Sequence, residues 1–133
     1  MKVNENFSYE IPTLKRLEYR PNDDFKIQPE QEDINMKLKF TVTVHKDEKL
    51  PEASVDLTCE LGEKKSDYPY YLCVTETAKF LWSGSIDAAN LKFLLEKNAP
   101  ALLLSFLRPV VWSITGLSPY PVYQIPFIDF TEH

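Results

Sequence analysis

From Ile34 to His45 the chain alternates without exception. Ile34, Met36, Leu38, Phe40, Val42 and Val44 are apolar, and between them stand Asn35, Lys37, Lys39, Thr41, Thr43 and finally His45. Successive side chains of a strand point to opposite faces, so a period of two held this long predicts a strand with one face in a core and one in water. That segment constrains everything around it. A lone strand is unstable, so the flanking sequence must supply pairing partners and a layer to cover the buried face.

The flanks supply both. After a turn at 46–51, Ala53, Val55, Leu57, Cys59 and Leu61 alternate with Ser54, Asp56, Thr58 and Glu60. A turn at 62–67 leads to a strand over 70–82, rich in the aromatic and β-branched residues that suit a pleated surface. Upstream, Phe7, Tyr9 and Ile11, then Leu17 and Tyr19, read as one first strand bent or bulged near Pro12, which has no N–H for a ladder. A polar connector with Asp23, Asp24, Glu30, Glu32 and Asp33 follows it, more solvated charge than paired acid and base. Short turns between successive strands predict antiparallel pairing.

Beyond Gly84 the period lengthens. Ser85 can cap a short helix running to Lys97, with Leu91, Leu94 and Leu95 on one side. Asn98-Ala99-Pro100 then reads as the start of a longer helix ending at Gly116, with a kink expected at Pro109. The stretch 119–130 is too proline-rich for a central strand and should lie extended on the body. The expectation is a single α+β domain over 1–133: a four-stranded antiparallel sheet with a short and a long helix packed on one face. The long helix is apolar beyond one stripe, since Leu102, Leu104 and Trp112 fall outside it. That surplus implies a homo-oligomer, with Leu103, Phe106, Leu107, Val110, Trp112 and Ile114 as candidate interface residues.

Charge and motifs exclude several classes. A net charge of -5 with no basic stripe argues against nucleic acid. The N-terminus lacks the apolar stretch of a signal peptide, and no apolar run reaches the ~18 residues of a membrane span, so a cytoplasmic protein without membrane insertion is expected. His45 lies on a polar strand face and His133 ends the chain, neither at zinc-ligand spacing from a cysteine. Gly62, Gly84 and Gly116 are isolated, so no phosphate loop is present. No enzyme, metal site or cofactor is expected. Cys59 and Cys73 centre on Ser66, within a turn. They could face each other across neighbouring strands or serve as small buried hydrophobes.

The C-terminal third resembles the SecB export-chaperone family. The resemblance lies in Asn98-Ala99-Pro100-Ala101-Leu102-Leu103, then Phe106-Leu107-Arg108, Thr115-Gly116, and Pro121-Val122-Tyr123-Gln124-Ile125-Pro126-Phe127-Ile128-Asp129-Phe130. Looser matches are Leu17-Glu18-Tyr19-Arg20-Pro21 and Tyr71-Leu72-Cys73. It implies a dimer of dimers whose aromatic and aliphatic grooves hold unfolded or nascent polypeptide without nucleotide. Two departures stand against coupling to the SecA motor: Arg16 and Arg20 flank a position range that is acidic in exporting members, as Val74 follows Cys73 where an acid is common, and the chain ends at His133, without the family's second C-terminal helix. Both favour a solitary chaperone or one dedicated to a toxin–antitoxin client.

For the groove itself, Tyr70, Leu72, Phe80, Trp82, Phe127 and Phe130 are the candidates, each equally suited to a core or subunit interface. The competing reading is a small hydrophobic-ligand module with a closed pocket between sheet and helix.

Overall fold

The computed structural model describes residues 6–27, 34–65 and 67–131. The acidic run Glu30-Gln31-Glu32-Asp33, the turn residue Ser66 and His133 lie outside the described residues. An antiparallel sheet is built from β1 (Phe7–Tyr9), β2 (Thr13–Pro21), β3 (Leu38–Lys46), β4 (Glu52–Gly62) and β5 (Tyr70–Trp82). Helix follows as α1 (Ala88–Phe93), a π-turn (Leu94–Asn98) and α2 (Ala99–Gly116). The sheet has five strands where four were expected. The difference lies in the first strand: β1 and β2 both pair with the same edge of β5, Phe7 opposite Trp82 and Pro21 opposite Tyr70. Between them the ladder is interrupted at the buried Pro12, beside an Ile11 that is 82% exposed. A bulge at Lys15 follows, between Leu14 and Arg16.

β3 starts at Leu38, four residues after the alternation begins. Its partner β4 ends at Gly62, whose φ of 75° turns the chain away, so Ile34 to Met36 have no strand to pair with. Only glycine fits there. A Cβ on Gly62 would sit 2.2 Å from the Tyr70 carbonyl oxygen. Tyr70 is therefore delivered to the start of β5 by a turn with no room for a side chain.

The register also settles the cysteines. Cys59 pairs with Val74 and Glu60 with Cys73, so the two thiols are one position out of step and point to opposite faces of the sheet. Both are buried, and burial pushes the Cys59 thiol up to about 12, with Cys73 and Glu60 nearby adding to it. They are core residues.

The helical layer differs from expectation in its joints. The cap is Asp87, whose carboxylate accepts the Asn90 N–H at 2.8 Å, two residues after the expected Ser85. The helix does not restart at Asn98 but runs on through a π-turn in which the Ala99 N–H donates to the Leu94 carbonyl. Pro100 has no N–H, and its ring would collide with the carbonyl four residues back; the wider turn makes space for it. The resulting helix, Ala88–Gly116, has 29 residues and is long and apolar enough by length and composition to cross a membrane. Its apolar stripe is occupied in the fold: Leu91, Leu95, Ala99, Leu103, Leu107 and Val111 are buried with Val55, Leu57, Leu61, Leu72 and Val74 of the sheet.

Among the described residues, no helix covers the opposite sheet face. It is laced by polar pairs: Lys15 Nζ to Asp56 at 2.6 Å, Thr77 Oγ1 to Asp56 at 2.6 Å, Thr58 to Thr75 at 2.8 Å and Tyr71 OH to Glu60 at 2.9 Å.

Candidate functional site

Past Gly116 the chain turns back as an extended segment, held to the helix by residues of the sequence stretches singled out above. Thr115, fully buried, donates its hydroxyl to the Val111 carbonyl at 2.8 Å and accepts the Tyr123 N–H at 2.9 Å. Arg108 donates one guanidinium nitrogen to the Ile125 carbonyl and the other to the Pro126 carbonyl at 2.9 Å. A planar fork can hold two adjacent carbonyls at once, which an ammonium cannot. Ile125 is thereby pressed into the core, 4% exposed.

Pinned in this way, the segment forms one wall of a groove whose other wall is the start of β5 and the approach to β3. A depression of about 140 Å³ is lined by Ile34, Met36, Tyr70, Tyr120, Val122 and Tyr123. It adjoins one beside Phe25 and Tyr68 through the shared Ile34 and Met36, and another between the helix and the segment through the shared Tyr123. The aromatic rings interlock: Tyr19 lies 5.6 Å from Tyr70, Tyr70 6.3 Å from Tyr120, and Phe25 meets Tyr120 edge-on at 5.8 Å. Among the described residues, the hydroxyls of Tyr19, Tyr70, Tyr120 and Tyr123 have no hydrogen-bond partner. Burial, with Tyr19 and Tyr123 close by, pushes the Tyr70 hydroxyl up to about 12; burial also raises Tyr19 and Tyr123. All three stay protonated near neutrality and keep a donor and an acceptor to offer.

The groove nominees do not converge. Tyr70 borders the groove although it is itself only 2% exposed, whereas Leu72 and Phe80 are enclosed in the chain's own core at 0% and 1% exposure and line none of these depressions. Phe80 and Trp82 stand at the far end of β5, roughly 33 and 40 Å from Tyr70 at the rise of an extended strand. There Phe80 stacks on Phe7 at 5.6 Å. Phe130 is edge-on to Phe40 at 6.0 Å, and Phe127 is 89% exposed. Of the interface nominees, Leu103 and Leu107 are fully buried against the sheet, which leaves them no surface for another subunit. Phe106 and Trp112 are exposed at 38% and 50%, and Val110 and Ile114 are half-buried. Phe25, Tyr120 and Tyr123, which the sequence reading does not nominate, line the groove and its adjoining depressions, and Tyr19 packs against Tyr70. Tyr19 and Tyr123 lay inside the SecB-like stretches, where their signal could be read.

The chain is thus an α+β fold with helix on one sheet face, an open polar face and a tyrosine-lined surface groove. No family profile matches the chain, and no curated protein matches it in sequence. Among solved structures it is similar to a SecB-like chaperone of Mycobacterium tuberculosis, in complex with a ChAD peptide from the HigA1 antitoxin. That match has a TM-score of 0.75 at 16% identity and covers 92% of this chain and 91% of the other. A protein of unknown function from Streptococcus agalactiae matches with a TM-score of 0.50 at 13% identity, over 91% of this chain and 97% of the other. The fold is SecB-like.

Proposed function

We propose that this chain is a nucleotide-independent holdase chaperone, and that the groove between β5 and the C-terminal segment receives non-native polypeptide. The observation that carries the reading is the tyrosine cluster. Its rings give an apolar wall, and its unpartnered hydroxyls suit the unpaired backbone N–H and C=O of an unfolded chain, with little demand on sequence. The antitoxin peptide bound by the mycobacterial neighbour supports a polypeptide client, and a client from a toxin–antitoxin pair in particular. Phe106 and Trp112, exposed beside half-buried Val110 and Ile114, supply the surface for a cytoplasmic homo-oligomer of the dimer-of-dimers kind.

A closed small-ligand pocket fits less well. Leu57, Leu103, Leu107 and Val111 fill the space between sheet and helix at 0% exposure. The groove and its adjoining depressions lie open at the surface beside the C-terminal segment, not enclosed between sheet and helix.

The test is dilution of a chemically unfolded globular protein with and without this chain, no nucleotide added. Dose-dependent suppression of light scattering, saturating near one client per oligomer, supports the holdase. No suppression at several-fold excess sinks general chaperoning.

A further inference from the structure

The chain is acidic overall, yet one corner of the uncovered sheet face is not. There a depression of about 430 Å³ gathers four ammonium groups, of Lys37, Lys39, Lys64 and Lys65, against the two carboxylates of Glu60 and Glu63. The layering of these charges matters as much as their number. Glu63, at 28% side-chain exposure, lies beneath Lys37 at 2.6 Å and Lys65 at 3.6 Å, which are 56% and 72% exposed. Glu60 is occupied by the Tyr71 hydroxyl. Lys64 stands 5.1 Å from the centre of the Tyr71 ring and reaches Glu18 at 3.3 Å. Lys39 makes no ion pair among the described residues. The carboxylates form the floor, and the cations form the surface that a partner meets.

We propose that this depression is a docking site for an acidic segment of a partner polypeptide, separate from the groove on the other side of the sheet. Lys39 and Lys64 would take its carboxylates, with the Tyr71 ring supporting Lys64 from below. Charge complementarity selects this occupant, since an acidic chain repels most acidic partners everywhere except at such a corner. A nucleic-acid strand fits poorly, because its regular phosphates would run on over Glu18 and Glu63.

The experiment is fluorescence anisotropy of a labelled oligoglutamate peptide titrated with the full chain, beside an oligoglutamine peptide and an oligothymidylate of equal charge. The expected result is salt-sensitive binding of oligoglutamate alone, weakened about tenfold or more by Lys39→Glu with Lys64→Glu. Lys39→Gln, at an exposed side chain without an ion pair, keeps the test open if the double variant fails to fold, and should weaken binding in the same direction. Absence of binding at low salt, equal binding by the variants, or tighter binding of oligothymidylate would overturn the proposal. Aggregation suppression by these variants should match the wild type, so this outcome and that of the groove are read separately.

Discussion

At the scale of single residues, Gly62 is the least replaceable position. Gly62→Ala combines a left-handed φ with a Cβ driven against the Tyr70 carbonyl. It should cost about 2 kcal/mol or more in urea unfolding. Two buried acids make opposite demands on pH. Glu76 is 5% exposed beside Leu14 and Leu57, and burial raises its pKa. A raised carboxyl favours the folded state while protonated, so its contribution falls as pH climbs from the ordinary 4.5 through the higher folded value. Glu76→Gln should therefore raise the urea midpoint at neutral pH and change it little in acid. For Asp56, burial alone would raise the pKa, but Lys15 and Thr77 outweigh it and hold the carboxyl below 3.8. Its contribution is present above that value and is lost as pH falls through the folded pKa, so Asp56→Asn should destabilise at neutral pH and not in strong acid. Neither environment was legible beforehand. Glu76 occupies an inward position that the strand pattern of 70–82, apolar on both faces, did not distinguish.

Among the elements, the strands were more legible than the joints. β4 and β5 differ from the alternation by at most a residue at each end because hairpin register and burial act together. The first strand reads as one because its periodicity survives Pro12, while hydrogen bonding does not. The helix reads as two because Asn98-Ala99-Pro100 has the composition of a start, and only the π-turn reveals that the backbone continues through it. The C-terminal segment shows sequence reasoning at its limit: extended structure follows from its prolines, but the Arg108 fork and the Thr115 bridge are three-dimensional facts. Thr115→Val leaves the Tyr123 N–H without its acceptor, which should cost about 1–3 kcal/mol. Hydrogen exchange should show faster exchange of the Tyr123 amide, with the sheet amides nearly unchanged. Arg108→Lys keeps the charge but loses the fork, and should free the same segment to a smaller degree.

For the whole molecule, the fold class was legible and the site was only half so. Periodicity identifies which faces are apolar but not which partner covers each. Leu103 and Leu107 therefore read as interface when they are core, and the tyrosines of distant segments were not seen to meet. The SecB-like fold gives this arrangement a structural precedent, and the proposed client site is the groove beside Tyr120 and Val122. The most direct measurement compares aggregation suppression by the wild type, by Tyr120→Ser with Val122→Ser, and by Leu50→Ser, an exposed apolar residue in the β3–β4 turn. The groove variant should need about tenfold more protein for half-suppression, equivalent to about 1.4 kcal/mol of client binding, while Leu50→Ser behaves as wild type. A folded groove variant that protects the client as well as the wild type does would contradict the account.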